Sequence, residues 1–301
     1  MVLLSHALEW LGYIPLIVSY LHWRYWQYSP KSFKQFVSLD IPYNEHSKLD
    51  VYHPNKISKN KSTAPPIIIF IYGGGWGSGS KLIYSTLANT LREMGYVIVL
   101  PDYRKYPEGH SAGAHLAASV ILRDLISRII YEKAPHTTSK SANISQNFLP
   151  LVEGLLLFSG VYDIAAHFDH ETSRGIEKLS AMARAMGSNR EGYIANSPLY
   201  MVQENQNLFT NAADLLHMMP RILLLHGQKD STVGMEQSTR MFNMLGTLFS
   251  SKDREQVDVR MRLYKRMGHS EPVLALMRNL FTERPEQKLL LRDIKEFVDG
   301  S

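Results

Sequence analysis

A serine between two glycines is the residue of this chain best suited to nucleophilic chemistry. Residues 109–113 read Gly-His-Ser-Ala-Gly, and Gly-x-Ser-x-Gly is typical of a nucleophile elbow, a tight strand-to-helix turn that exposes a serine hydroxyl. Glycines flank the serine because the turn packs too closely for side chains at those positions. The pattern predicts that Ser111 is a nucleophile that attacks a carbonyl carbon.

A glycine run follows an apolar run of β-branched residues. Residues 67–71 (Ile-Ile-Ile-Phe-Ile) predict a buried strand, and residues 72–76 read Tyr-Gly-Gly-Gly-Trp. Without the serine motif these glycines would indicate only a flexible turn. Next to a nucleophile, their backbone N–H groups can bind a developing oxyanion, and each such donor is worth about 3–4 kcal/mol. We therefore expect the N–H groups of Gly73, Gly74 and Ala112 to form an oxyanion hole.

Two aspartates are candidates for the acid that orients a catalytic histidine. Asp230 follows the apolar run 222–225 through the sequence His-Gly-Gln-Lys-Asp, and Asp163 follows the strand-like run 155–158. A carboxylate at either strand end could hold a histidine in the required tautomer and stabilise its charged form. We favour Asp230 and keep Asp163 as the alternative acid.

His269 is the preferred general base among the twelve histidines. It follows a strand-like stretch, residues 257–264, and precedes a helix predicted over residues 272–280. His115 is a competitor close to Ser111. It falls one turn into the helix after the elbow, where packing or a hydrogen bond beneath the site is the expected role.

Strands and helices that alternate along the chain must position these residues. Apolar runs between helices predict a mostly parallel sheet with helices on both faces. Strands are predicted at residues 67–71, 96–100, 155–158, 222–225 and 257–264, and helices at residues 82–94, 112–132, 235–248, 272–280 and 286–298. One large α/β domain can contain all of these elements.

The segment before Ser111 does not read as the strand that an elbow needs. Residues 102–108 are polar and include a proline, and the nearest apolar run is 96–100. A crossover takes at least about 10–12 residues and a strand about 5–6, whereas only eight residues separate Leu100 from Gly109. We therefore expect the sheet to lack its central helix–strand unit. An omitted exon, a rewired sheet in which residues 96–100 feed the elbow directly, and a degenerate protein without catalysis are the open explanations.

These motifs resemble those of α/β-hydrolases of the esterase–lipase type. More narrowly, they resemble isoprenylcysteine α-carboxyl methylesterases and kynurenine formamidases. The matching segments are residues 49–54, 72–76, 101–104, 109–116, 159–163, 173–175, 197–198, 226–230 and 268–269. The chain order Ser111, Asp230, His269 is also that of α/β-hydrolase triads. The chain departs from the family at Tyr72, where the oxyanion motif usually begins with histidine.

The resemblance implies an α/β-hydrolase fold and a carboxylic-ester hydrolase that needs no cofactor. In that scheme His269 takes the proton of Ser111, Asp230 orients His269, and water releases the acyl-enzyme. The substrate would be a small-molecule or lipid-modified ester such as a prenylcysteine methyl ester. An arylformamide is the alternative substrate, and a non-catalytic hydrolase-like binding protein is the alternative outside the enzymes.

Composition excludes several other classes. The chain has no cysteine, which excludes disulfides, thiolate catalysis and cysteine-ligated metals. It shows no zinc-ligand spacing and no phosphate loop, so we expect no metal. The formal net charge is +5, from 33 Lys and Arg against 28 Asp and Glu. Because the basic residues are scattered, we expect no nucleic-acid partner.

Residues 1–30 form an apolar and aromatic segment ahead of the hydrolase domain, which we expect over residues 31–301. Residues 7–23 are mostly apolar, but they contain Glu9 and Pro15 and fall short of the roughly 20 residues of a membrane span. No basic stretch or clear cleavage site indicates a signal peptide. The segment is predicted to be a membrane anchor or a cap over the active site. We expect an intracellular protein at the endoplasmic reticulum membrane or, alternatively, in the cytoplasm.

Overall fold

Helices and strands alternate along most of the chain. The computed structural model describes residues 18–54, 64–73, 79–103, 112–133, 148–178, 180–212, 217–248, 257–277 and 285–300. The strands are β1 (Val37–Pro42), β2 (Lys48–Tyr52), β3 (Ile67–Ile69), β4 (Val97–Pro101), β5 (Gly154–Phe158), β6 (Arg221–Gly227) and β7 (Val259–Tyr264). The helices are α1 (Pro30–Phe36), α2 (Ser85–Glu93), α3 (Ala112–Lys133), α4 (Ile164–Ser173), α5 (Met182–Ala185), α6 (Arg190–Ala195), α7 (Pro198–Glu204), α8 (Gln206–Thr210), α9 (Glu236–Thr247), α10 (Glu271–Leu276) and α11 (Pro285–Asp299).

Strands β1 to β4 form one sheet, in the order β1-β2-β4-β3. The β1–β2 and β2–β4 pairs are antiparallel, and the β3–β4 pair is parallel. This sheet belongs to a compact unit made of Met1–Tyr72, Gly79–Lys105 and Ser270–Ser301. A π-helical turn over His22–Gln27 precedes α1. The ring of Trp23 in this turn contacts the rings of Phe33 and Tyr52, which fixes the end of the N-terminal segment to the unit.

Strands β5, β6 and β7 form a second sheet in that order, and both pairs are parallel. It belongs to the unit made of Gly73–Ser78 and Tyr106–His269. The buried positions of α3 recur every three or four residues, which is the spacing of one helix face. That face shares one apolar core with strands β5 and β6, and the core includes Ala118, Leu122, Leu125, Ile129, Leu155, Leu157, Ile222 and Leu224.

Most of the predicted elements are confirmed. Helices α3, α9 and α11 and strands β4 to β7 begin and end within two residues of their predicted positions, and α2 begins three residues late. The antiparallel strands β1 and β2 had not been predicted. No helix among the described residues has the length and apolar character that crossing a membrane requires. Residues 7–17 of the predicted anchor or cap lie outside the described residues.

The prediction of a buried strand over residues 67–71 is wrong in extent and in burial. Strand β3 ends at Ile69, and the side chains of Ile67 and Ile69 are 68% and 62% exposed. The physical reason is that Ile67 and Ile69 share one face of the strand, and their exposure shows that no described element packs over that face. β3 is also an edge among the described strands, since it pairs with β4 alone.

The described strands form two sheets rather than one continuous sheet. Between β4 and α3, residues 102 and 103 are described and are not in a strand, and residues 104–111 lie outside the described part. β4 pairs with β2 and β3 and with no strand of the second sheet. The interruption falls where the sequence predicts a missing helix and strand.

Candidate active site

The side chains of Asp230 and His269 form a hydrogen-bonded pair. Nδ1 of His269 donates to Oδ2 of Asp230 over 2.7 Å. Because a carboxylate only accepts, the proton lies on Nδ1, and in the neutral ring Nε2 is the nitrogen that can take a proton. The side chain of Asp230 is 0% exposed and that of His269 is 14% exposed. The pair therefore has the tautomer that a general base requires.

The carboxylate of Asp230 is ionised although it is buried. Oδ1 accepts the backbone N–H groups of Thr232 and Val233 over 3.0 and 2.8 Å. Burial alone would favour the neutral acid, but hydrogen bonds from His226, from His269 and from the Val233 N–H outweigh it and hold the pKa of Asp230 well below its usual range.

Close contact between two backbone segments brings Asp230 and His269 together. The N–H of Lys229 donates to the carbonyl of Met267 over 3.0 Å. A Cβ atom at Gly227 would lie 2.2 Å from the carbonyl oxygen of Met267. Only glycine therefore allows the loop after β6 to approach the loop after β7 so closely.

His226 is a second imidazole at the same carboxylate, and the sequence had not predicted a role for it. Its side chain is 0% exposed. Nε2 lies 2.9 Å from the carbonyl oxygen of Val233 and 3.3 Å from Oδ2 of Asp230, while Nδ1 lies 2.8 Å from Oγ of Ser238. Both neighbours of Nε2 are acceptors, so Nε2 carries the proton. The sequence feature that could have indicated this role is the position of His226, which directly follows the apolar run of β6 and lies four residues before Asp230.

The alternative acid, Asp163, has different partners. It caps the N-terminus of α4, where its Oδ1 accepts the N–H of Ala166 over 2.9 Å, and its other oxygen pairs with Arg240. Asp230, and not Asp163, is hydrogen bonded to His269. A carboxylate at a helix N-cap stabilises the helix by accepting one of its free N–H groups.

The competing histidine, His115, is buried in α3 with 5% exposure. Its Nε2 lies 2.7 Å from the carbonyl oxygen of Asn196, to which it donates. Burial lowers the pKa of His115 to about 4, against the raising effect of that hydrogen bond. His115 is therefore neutral at pH 7 and links α3 to the loop before α7.

The predicted nucleophile Ser111 and the predicted oxyanion residue Gly74 lie outside the described residues. Their neighbours Ala112 and Gly73 are both buried. Ala112 begins α3 and belongs to the same buried apolar cluster as Val233. The N–H of Val233 is one of the donors to Asp230. The residue after the predicted nucleophile and the loop that holds the acid thus share one core.

Tyr72 makes interactions of its own at the position where the resembling family has histidine. Its hydroxyl donates to Oδ1 of Asp102 over 2.7 Å, and its carbonyl oxygen accepts the hydroxyl of Tyr103 over 2.6 Å. Its ring stacks on Tyr84 at 5.3 Å between centroids. These contacts fix the backbone that leads into Gly73.

No group of three His, Asp or Glu side chains in the described ranges is arranged to hold a metal ion.

Two family models match separate parts of the chain. The BD-FAE model matches residues 49–108, and the model of the prolyl oligopeptidase family matches residues 153–283. The second range includes Asp230 and His269. Neither range includes Ser111.

Curated relatives are similar at low identity. The chain is 26% identical over 248 residues to the probable isoprenylcysteine alpha-carbonyl methylesterase ICMEL1 of Arabidopsis thaliana. The aligned region covers 71% of this chain and 47% of the relative. The chain is 29% identical over 158 residues to the kynurenine formamidase of Danio rerio, which covers 42% of this chain and 46% of the relative. The chain thus spans about half the length of these curated relatives.

Solved esterase structures share the fold. Esterase B of Lactobacillus rhamnosis has a TM-score of 0.57 at 17% identity, covering 88% of this chain and 86% of that one. The esterase Est2 of Thermogutta terrifontis has a TM-score of 0.50 at 14% identity, covering 88% and 94%. The two matched models and the solved structures together show that this chain has the α/β-hydrolase fold.

Proposed function

We propose that this chain hydrolyses carboxylic esters, with Ser111 as nucleophile, His269 as general base and Asp230 as the acid that orients it. The buried Asp230–His269 hydrogen bond is the observation that carries the proposal. The shared core of Ala112 and Val233 supports it, because Ser111 directly precedes Ala112 in the chain.

The proposed reaction has two halves. Nε2 of His269 takes the proton of the Ser111 hydroxyl as its oxygen attacks the ester carbonyl. The N–H groups of Gly73, Gly74 and Ala112 hold the resulting oxyanion. Collapse of this intermediate leaves the acyl group on Ser111, and His269 protonates the departing alcohol. Water then repeats the sequence and releases the carboxylic acid.

The finer proposal concerns the substrate. A prenylcysteine methyl ester is favoured because several curated relatives bear the name isoprenylcysteine methylesterase. An arylformamide is the second candidate, because other relatives are named kynurenine formamidase. The ratio of kcat/KM on a prenylcysteine methyl ester and on N-formylkynurenine separates the two. A higher value on N-formylkynurenine would overturn the methylesterase proposal.

Hydrolysis of p-nitrophenyl acetate by the purified chain tests the catalytic proposal. Ser111→Ala is expected to lower turnover by at least about 10⁴-fold and to abolish labelling by a fluorophosphonate probe. Ser127→Ala is the matched control, because this serine of α3 is exposed and its hydroxyl donates to the carbonyl of Arg123 within the same helix. Equal turnover in Ser111→Ala and the native chain, or no turnover in either when folded, would contradict the proposal. The second result would favour a non-catalytic hydrolase-like protein.

We also propose that the N-terminal segment contacts a membrane surface. In the π-helical turn that ends this segment, Tyr25 and Trp26 are 62% and 72% exposed. Exposed tyrosine and tryptophan are typical of membrane–water interfaces. Co-sedimentation of the full chain with phosphatidylserine-containing vesicles is expected to weaken in Trp26→Ala and to persist in Leu151→Ala, a change at another exposed apolar residue. No co-sedimentation of the native chain would contradict this proposal.

A further inference from the structure

A cavity of about 280 Å³ lies in the unit that contains β1 to β4. Four aromatic side chains, Tyr20, Trp23, Phe33 and Tyr52, line it together with the guanidinium group of Arg24. None of its lining residues belongs to the proposed hydrolytic site. Its volume is near the lower end for small-molecule sites, which begin at about 300 Å³, and its aromatic lining is typical of them.

Arg24 is a cation with no anionic partner in the described part of the chain. Its guanidinium carbon lies 4.2 Å from the ring centroid of Phe33 and 5.1 Å from that of Tyr25. Among the described residues it makes no hydrogen bond and no ion pair. A half-buried guanidinium that contacts only aromatic rings retains its capacity to bind a carboxylate through paired N–H groups.

A buried donor of the same lining also lacks a partner. The indole Nε1 of Trp23 makes no hydrogen bond with any described residue, and this side chain is 2% exposed. The hydroxyl of Tyr52, which is also buried, has Ser85 as its hydrogen-bond partner. Folded proteins rarely leave a group such as the Trp23 N–H unpaired without a water or a ligand. Because Nε1 can only donate, a complementary ligand must offer an acceptor oxygen.

The carboxylates of the lining are engaged by donors within the protein. Nζ of Lys81 pairs with Asp40 over 2.8 Å and also with Asp50. Oδ1 of Asp102 accepts the hydroxyl of Tyr72 and the N–H of Lys81 over 2.7 and 2.8 Å. Lys81 is therefore committed to two acids, and Arg24 is the cation left for a ligand.

We propose that this cavity binds a small carboxylate with an aromatic or alkyl body. The carboxylate binds the guanidinium of Arg24, and the apolar body contacts the rings of Trp23 and Phe33. Burial of the aromatic or alkyl group contributes to affinity through the hydrophobic effect. The contact between the carboxylate and Arg24 makes the cavity selective for an acid over a neutral molecule.

Calorimetric titration of the full chain with 4-phenylbutyrate tests the proposal, with 4-phenylbutan-1-ol as the uncharged control ligand. Carboxylates are also products of ester hydrolysis, so the titration is repeated in the Ser111→Ala variant, where binding is expected to be unchanged. Binding that persists in Ser111→Ala cannot come from the hydrolytic reaction, so the titration tests the cavity independently of the proposed hydrolysis. The alcohol is expected to bind at least about tenfold more weakly than the acid.

Arg24→Gln is expected to raise the Kd for 4-phenylbutyrate at least about tenfold, because it removes the charge and keeps a side chain over Phe33. Arg24→Lys keeps the charge and is expected to retain most of the affinity. Arg190→Gln, at an exposed arginine of the other unit, is the matched control and should leave Kd unchanged. No binding by the folded chain, equal binding of the alcohol, or an unchanged Kd in Arg24→Gln would each overturn the proposal.

Discussion

Asp230 is the side chain on which the proposed chemistry most depends. It accepts hydrogen bonds from His269 and from two backbone N–H groups, and His226 lies at the same oxygen as His269. These donors favour the ionised form. The pKa of Asp230 is consequently lower in the folded state than its ordinary value of 3.8, which links its charge to the stability of the protein.

Asp230→Asn is expected to lower kcat for ester hydrolysis by about 10⁴-fold, because an amide does not stabilise the imidazolium of His269. It should also lower the free energy of unfolding at pH 7. A carboxylate with a depressed folded-state pKa contributes stability above its unfolded pKa and loses it as the pH falls through the folded pKa. The difference in unfolding free energy between the native protein and the variant should therefore be constant from pH 7 to 5. It should become smaller below about pH 3.8, the ordinary pKa of an aspartate.

Urea unfolding of both proteins at pH 7, 5 and 3 measures this difference. Asp169→Asn is the control, because that aspartate is 58% exposed and pairs with an equally exposed Arg190, where an ion pair contributes little. A stability difference that widens on acidification would show that Asp230 does not have a depressed pKa. Unchanged kcat in Asp230→Asn would remove it from the proposed triad.

Ser159 combines two unfavourable features at the carboxyl end of β5. Its φ angle is +43°, in the left-handed region, and its buried hydroxyl has no hydrogen-bond partner among the described residues. Ser159→Gly removes both features. Glycine also gives the unfolded chain more conformational freedom, which opposes the gain, and the net effect expected is a rise of about 1 kcal/mol in the free energy of unfolding. Ser159→Ala removes only the hydroxyl and should gain less. Thermal unfolding of the three proteins gives the order, and a glycine variant less stable than the native chain would contradict the assignment of strain.

At the scale of elements, the approach of β6 and β7 at their carboxyl ends sets the distance between acid and base. Gly227→Ala would place a methyl group 2.2 Å from the backbone oxygen of Met267. We expect it to lower the free energy of unfolding by about 3 kcal/mol and to lower kcat by about 100-fold through displacement of His269.

Gly246→Ala is the matched control for this prediction. Gly246 lies in α9, where an added Cβ would meet nothing within 4 Å. Alanine is favoured over glycine in a helix by about 0.5–1 kcal/mol, so this variant should unfold at a slightly higher urea concentration and retain full turnover. If Gly227→Ala were as stable and as active as Gly246→Ala, the close backbone contact would not be what positions His269.

The sequence predicts some elements well because their pattern is local. The apolar runs of β5 and β6 indicate buried parallel strands, and the long periodic stretch of α3 indicates a helix. Strand β1 escaped prediction because Asp40 interrupts it with a φ angle of +56° and an irregular register between Ser38 and Ile41. Burial of β3 was also misjudged, since it depends on a neighbouring strand and not on the apolar character of its own residues.

The candidate site shows the same division between local and non-local information. The ends of the predicted strands indicated Asp230 and His269 as possible partners. Their 2.7 Å contact depends on the backbone approach at Gly227, and the role of His226 depends on Ser238 in α9. The pairing of Arg24 with aromatic rings could not be predicted, because it joins the N-terminal turn to α1 through tertiary contacts.

At the scale of the whole molecule, the described strands form two separate sheets. β3 is an edge of the four-stranded sheet and β5 an edge of the three-stranded sheet, as far as the described strands show. An exposed apolar edge is a liability for stability and favours aggregation. On the edge strand β3, the side chains of Ile67 and Ile69 are exposed.

Insertion of the helix and strand of a curated relative between Asp102 and Gly109 is expected to raise both stability and esterase activity. Full burial of Ile67 and Ile69 would be worth roughly 3–6 kcal/mol. Half of that gain corresponds to a rise in Tm of about 2–5 °C for a chain of this size. A central strand would also lead into the turn that carries Ser111, so kcat should rise together with Tm.

An insertion of equal length made of Gly and Ser is the control, because it lengthens the loop and adds no strand. Scanning calorimetry and p-nitrophenyl acetate hydrolysis measure the two effects. Equal Tm and equal kcat in the native chain and in the chain with the restored helix and strand would show that this protein does not need the missing unit.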